Sequence, residues 1–102
     1  MSGITIKRIP FADYFTTEHI IQEVFDEIAS AIGKHPIWPT DHVHRAAIIS
    51  EEAGEVVREA NHLREGHGST EDLRNELIQT AGTCLRMLYL MDEEYKLKNA
   101  YE

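Results

Sequence analysis

The sequence contains a single cysteine, Cys84, so no disulfide can form within the chain. A lone cysteine also excludes a zinc site built from several thiolates and is typical of proteins from a reducing compartment. The N-terminal residues lack the apolar segment of a secretory signal peptide. We therefore expect a cytoplasmic protein in which Cys84 is a small apolar residue of the core.

Basic residues are also few, with 10 Lys and Arg against 18 Asp and Glu and a net charge of -8 when His is neutral. This charge disfavours nucleic-acid backbones and anionic membranes, both of which attract basic surfaces. No apolar run approaches the roughly 20 residues of a transmembrane helix. We expect neither a nucleic-acid polymer nor a membrane as partner, and the acidity suits a protein that binds cations.

Glycine-rich phosphate loops, Ser-His-Asp sets, internal repeats and linkers are all absent from the sequence. A chain of 102 residues without a linker is one domain, here 1–102. So short a chain buries a modest core, and short helical chains often cover their remaining apolar faces with a partner subunit.

The N-terminal third of the chain predicts one extended segment and one helix. Weak alternation in "GITIKRI" predicts an extended arm, or a short strand, over 1–15. Apolar residues at helical spacing predict a first helix over 16–33, capped by Thr16 or Thr17 and ended by Gly33.

Two longer helices are predicted beyond the proline-containing loop "KHPIWPT". The second helix starts after Thr40 or Asp41 and ends before Gly66, which suits a C-terminal cap. Ser69 and Asp72 form a capping-box pattern for the third helix. Helices joined by short connections predict an all-α fold, a helical bundle built on an antiparallel helix pair.

The stretch "EEAGE" places Glu51, Glu52 and Glu55 on one side of the second helix, with Glu59 one turn further. At about 100° per residue, the four carboxylates occupy roughly a quarter of the helix circumference. Carboxylates four residues apart repel by a few tenths of a kcal/mol, whereas a hard cation such as Mg2+ turns that proximity into binding. The alternative is the ordinary charged face of an amphipathic helix.

A further carboxylate, Glu76, lies at the edge of the apolar stripe of the third helix. Because a short loop makes these two helices antiparallel neighbours, Glu76 is expected near Glu55 and Glu59. A patch of four or five carboxylates between two helices favours metal binding over simple solvation.

"EEAGE", followed after about twenty residues by "ELIQ", resembles the EExxE…ExxD pattern of MazG-like all-α nucleoside triphosphate pyrophosphohydrolases. The resemblance extends from "WPTDHVHRAAIISEEAGEVVREAN" to "NELIQTAGTCLRML", more than half the chain. It implies hydrolysis of an NTP or dNTP to the monophosphate and pyrophosphate with Mg2+, which Mn2+ can replace. It also implies a homodimer or homotetramer that binds the nucleotide between helices.

Carried over position by position, the resemblance makes Glu51, Glu52, Glu55 and Glu76 metal ligands, together with Gln79 at the position of the family Asp. Either Glu51 or Glu52 would activate the attacking water. A Gln amide oxygen can bind a hard cation, but it is neutral and a weaker donor.

Gln79 therefore leaves several outcomes open. The chain is an active enzyme with an altered metal stoichiometry, an enzyme whose site is completed by Glu59 or Asp72, or a catalytically silent homologue that binds nucleotide or protein. A related activity, that of a phosphoribosyl-ATP pyrophosphatase, would use the same fold and metal chemistry. Glu59 and His62 also form one ExxH pair, but a di-iron site needs two.

The resemblance also calls for residues that contact the rest of the nucleotide. Trp38, between two prolines, is either a wall of the base pocket or a cap on the core. The basic candidates for phosphate contacts, each of which has surface charge as its alternative, are Arg58, Arg86, Lys96, Lys98 and Lys34.

Overall fold

The computed structural model describes residues 14–99 and contains, in that part of the chain, three α-helices and no strand. They are α1 (Tyr14–Lys34), α2 (His42–Arg64) and α3 (Thr70–Asn99). The predicted all-α class is confirmed. None of the three helices combines the length and apolar character that crossing a bilayer requires. The arm predicted over 1–15 falls largely outside the described residues, and its last two residues, Tyr14 and Phe15, are helical.

Both ends of α2 follow the local sequence. The Asp41 carboxylate caps its N-terminus by accepting hydrogen bonds from the backbone N–H groups of Val43 and His44, each at 3.3 Å. At the other end, Gly66 has a φ of 85°, a left-handed conformation that favours glycine. The predicted boundaries of this helix are confirmed because both signals are local.

The predicted boundaries of α1 were wrong at both ends. The helix starts at Tyr14, so Thr16 and Thr17 lie inside it instead of capping it. It also continues past Gly33, which the sequence analysis took as the stop. Pro36 is the physical reason for the later end, because a proline disfavours helical geometry in the residue before it.

The start of α3 is as predicted, with the Ser69 hydroxyl accepting a hydrogen bond from the Asp72 N–H at 3.0 Å. This helix packs antiparallel to α2. Near the start of α2, Arg45 forms an ion pair with Glu94, far along α3. Residues later in α2 meet the first half of α3, as predicted for Glu55 and Glu76.

The first helix lies parallel to α3. The ion pair of Glu23 with Arg74 and the hydrogen bond from Arg86 to the His35 carbonyl both join residues 51 positions apart. Gly82 of α3 permits the close approach, because a Cβ atom there would lie 3.3 Å from the Ile28 side chain.

Apolar packing within the described residues is thin. Val24 is the buried hydrophobic residue of this part of the chain. The apolar stripe predicted for α3 is largely exposed, and Cys84 is half-buried instead of lying in a core. Large apolar side chains that remain exposed include Ile21, Phe25, Ile32, Leu77, Leu85, Leu88 and Tyr95.

Candidate metal centre and cleft

Three carboxylates converge where α2 meets α3. Glu52, Glu55 and Glu76 each offer one oxygen, and these oxygens lie within 4.8 Å of one another. The spacing of three residues puts Glu52 and Glu55 on adjacent turns of α2, and the antiparallel pairing brings Glu76 opposite them. We call these three residues the carboxylate cluster.

The cluster has unmet bonding capacity. All three side chains are half-buried, and one oxygen each of Glu52 and Glu76 is buried without a hydrogen-bond partner. Buried polar atoms normally have partners, because an unpaired one loses its hydration without compensation. A cation is a partner of the right charge for both oxygens.

Burial raises the pKa of the Glu52 carboxyl, and the negative charges of Glu55, Glu51 and Glu27 raise it further. Two of these neighbours belong to the same motif. Glu27 comes from α1, so all three helices contribute negative charge to this region.

The pKa of Glu76 is raised as well, first by burial and then by a hydrogen bond to Glu55 and the charges of Glu55 and Glu52. Arg58 opposes the rise through its positive charge. The folded chain thus holds two carboxyl groups in surroundings that disfavour their ionised forms.

A cleft of about 570 Å³ opens beside the cluster, between α1 and α2 and over α3. Its volume lies within the roughly 300–1,000 Å³ of small-molecule sites. The loop that joins α1 to α2 forms part of its wall. Its lining includes the polar side chains of Glu27, Glu51, Glu52, Gln79, Thr83 and Arg86.

Two arginines hold the loop between α1 and α2. Arg86 donates a hydrogen bond to the His35 carbonyl at 2.7 Å, and its guanidinium carbon lies 4.2 Å from the centroid of the Trp38 ring. Arg45 donates to the Pro39 carbonyl at 2.5 Å. Trp38 therefore has one ring face against Arg86, and its indole nitrogen is buried without a partner.

Glu51 and Gln79 lie in the cleft lining but outside the three-carboxylate cluster. Glu51 is exposed, whereas Gln79 is half-buried, one turn along α3 from Glu76. Of the five predicted metal ligands, three converge and two face the adjoining cleft.

Glu59 and Asp72, considered as substitutes for the missing Asp, are not part of the cluster. Glu59 has its own partners, Arg58 at 3.6 Å and His62 at 3.5 Å. Asp72 is exposed in the first turn of α3.

The predicted substrate-binding residues are dispersed. Trp38 and Arg86 line the cleft, whereas Arg58 is exposed beside the cluster, near enough to influence Glu76. Lys96 lies near the end of α3, 71% exposed and paired with Glu93, away from the cleft lining.

Glu27 was not among the predicted site residues. It lies between Val24 and Ile28, which face α3, and it lines the cleft. An acidic residue next to the buried stripe of an amphipathic helix was the available signal. The sequence analysis also missed that Arg45 and Arg86 would be buried, which depends on contacts between distant parts of the chain.

The candidate site is therefore described from the side chains of this chain alone. Comparison with protein-family models, with curated proteins and with solved structures found no match for this chain.

Proposed function

We propose that this chain is a MazG-like pyrophosphohydrolase, which hydrolyses an NTP or dNTP to the monophosphate and pyrophosphate with Mg2+. The observation that carries the proposal is the convergence of Glu52, Glu55 and Glu76 beside a cleft of small-molecule size, with two buried carboxylate oxygens unpartnered. The motif resemblance supplies the reaction.

The donor set fits Mg2+. This ion prefers oxygen ligands, and carboxylates together with substrate phosphates commonly hold it. Glu52, Glu55 and Glu76 would bind it, and the two unpartnered oxygens would then gain a counter-charge. Mn2+ shares the preference for carboxylate oxygens. A bound metal ion would neutralise part of the negative charge of the phosphates.

Glu51 is the best-placed residue to orient the attacking water and to accept its proton. It faces the cleft and lies outside the cluster, so its carboxylate remains available. Glu52 belongs to the cluster, and binding a cation would occupy its oxygens. Gln79, in the cleft lining, would contact the substrate through its amide.

The cleft suggests how a nucleotide would lie. The phosphates would sit beside the cluster, where Arg58 contributes positive charge. The base would lie further along α3, where the Trp38 ring face that Arg86 leaves free would form a wall. Lys96 would reach a nucleotide only from a second subunit, because in its own chain it is far along α3 and paired with Glu93.

A homodimer or homotetramer is part of the proposal. Leu77 and Leu88 are more than half exposed. On a wheel of about 100° per residue they lie on the side of α3 opposite Gln79 and Arg86. An apolar side facing away from the cleft can be covered by a second copy while the cleft stays open.

Hydrolysis is tested by incubating the purified protein with each NTP and dNTP and Mg2+, and quantifying monophosphate and pyrophosphate. We expect both products in equal amounts from at least one substrate. Glu52→Gln and Glu55→Gln should abolish hydrolysis, whereas Glu71→Gln, an exposed carboxylate outside the cluster, should retain it.

A second candidate, a silent homologue that binds nucleotide without cleaving it, is favoured by the position of neutral Gln79 in the cleft. Nucleotide binding without hydrolysis, with Gln79→Asp restoring product formation, would support this alternative. If neither protein releases pyrophosphate and Mg2+ leaves the melting temperature unchanged, the acidic patch is a solvated surface.

A further inference from the structure

Arg86 is a buried charge without a counter-charge. Its side chain is 7% exposed and has no carboxylate partner among the described residues. Arg45 is the natural comparison, because it is buried to a similar degree and is paired with Glu94. The contacts of Arg86 are the His35 carbonyl and the face of Trp38.

A carbonyl oxygen and an aromatic ring compensate only part of the cost of burying a full charge. Burial lowers the pKa of Arg86. A guanidinium has five N–H donors, and within residues 14–99 its one acceptor is the His35 carbonyl. The site retains both charge and hydrogen-bonding capacity for an anion.

The cleft reaches this charge. Arg86 lies in its lining together with Lys34 and His35, the other basic side chains there. Ten residues separate Arg86 from Glu76, about 15 Å of helix rise. Arg86 and Lys34 lie at the loop end of the cleft and Glu51 and Glu52 at the cluster end, while Glu27 lies between them, against Gly82.

We propose that the Arg86 end of the cleft is an anion subsite that binds a phosphate group. Arg86 and Lys34 provide its charge, and the ring of His35 provides a further polar contact. The subsite is independent of the carboxylate cluster and of any metal held there. Together with the proposed function, on which this one consequence rests, it favours, among nucleoside triphosphates, those that carry an additional phosphate remote from the anhydride that is cleaved.

Trp38 provides a direct readout, because it is the one tryptophan of the chain and its ring contacts Arg86. The wild-type protein is titrated with inorganic phosphate in EDTA at constant ionic strength, and the Trp38 emission is recorded. We expect a saturable change, and binding about ten- to a hundredfold weaker in Arg86→Gln, the usual effect of losing a hydrogen bond to a charged group.

Two variants separate binding from folding. Lys34→Gln changes an exposed side chain at the end of α1, so it should fold normally and bind phosphate more weakly. Arg64→Gln removes the same charge at an exposed position at the end of α2, outside the cleft lining, and should bind as wild type.

The subsite is refuted if phosphate causes no saturable change in the wild-type protein, or if Lys34→Gln and Arg64→Gln bind it equally well. Neither outcome depends on hydrolysis, because EDTA removes the metal. Nucleotide hydrolysis without phosphate binding would support the proposed function and refute the anion subsite. Phosphate binding without hydrolysis would support the anion subsite and refute the proposed function.

Discussion

The guanidinium of Arg86 stacks on the Trp38 ring at 4.2 Å and so connects the middle of α3 to the loop before α2. We predict that Arg86→Ala destabilises the fold by about 1–3 kcal/mol, because the His35 carbonyl loses its donor and Trp38 loses its neighbour. Urea denaturation measures the change. Arg64→Ala, at an exposed position, should stay within about 0.5 kcal/mol of wild type. Equal effects of the two substitutions would mean that the stacked contact contributes no stability.

The raised pKa of Glu76 predicts a specific pH dependence of stability in the metal-free protein. The unfolded chain releases this proton near the usual value of 4.5, whereas the folded chain retains it to higher pH. The folded state therefore binds more protons in that window, and stability is lost as the pH rises through it. Glu76→Gln should stabilise the metal-free protein at about pH 7 and have little effect at about pH 4. Denaturation in EDTA at both pH values measures this. A destabilised variant at neutral pH would contradict it.

Mg2+ should raise the melting temperature of the wild-type protein at neutral pH. A ligand at a hundred times its Kd stabilises the state that binds it by about 2.7 kcal/mol. For a domain of this size, each kcal/mol corresponds to about 4–8 °C. Glu55→Gln should remove the response, and Glu71→Gln should retain it. Lowering the pH should also remove it, because protons then compete for the carboxylate cluster.

Gly82 of α3 and Gly54 of α2 should respond in opposite directions to a side chain. Gly82→Leu would push against Ile28 and destabilise by about 1–3 kcal/mol, because its first added carbon already lies 3.3 Å from that side chain. A Cβ atom at Gly54 meets nothing within 4 Å, so Gly54→Ala should stabilise α2 by about 0.5–1 kcal/mol. Thermal denaturation measures both, and a tolerated Gly82→Leu would show that α1 is not packed closely on α3.

The exposed apolar residues predict the oligomeric state. Leu77→Asp and Leu88→Asp should shift the wild-type oligomer towards monomer in size-exclusion chromatography with light scattering, because each places a charge in the proposed contact. His44→Asp, at another exposed position, should leave the mass unchanged. A monomeric wild-type protein would refute the proposed assembly.

Local signals in the sequence predicted three of the six helix ends, both ends of α2 and the start of α3. Asp41, Ser69 and Gly66 act through contacts within a few residues, so the sequence is enough to identify them. Gly33 was misread because two local signals competed, and Pro36 outweighed it.

The candidate site was predictable where helix periodicity decides position. Periodicity and antiparallel pairing brought Glu52, Glu55 and Glu76 together in the hypothesis as they are in the fold. Periodicity alone could not predict that Glu59 pairs with His62 and Arg58 instead of joining the cluster, because the choice of partner depends on side-chain conformation.

Contacts made by tertiary packing lay beyond the sequence. Glu27 enters the cleft because α1 runs parallel to α3, an arrangement that no local signal specifies. The burial of Arg86 against Trp38 depends on the same placement of α1 and its loop.

The first helix contacts α3 but not α2 within the described residues. Its side of the cleft can therefore change in sequence without altering the α2–α3 interface that holds the carboxylate cluster. Glu27 is the exception, because its charge acts on Glu52. Substitutions at the other α1 residues of the cleft lining would change the shape of that wall and leave the carboxylate cluster in place. The wall could therefore diverge through changes in a single helix.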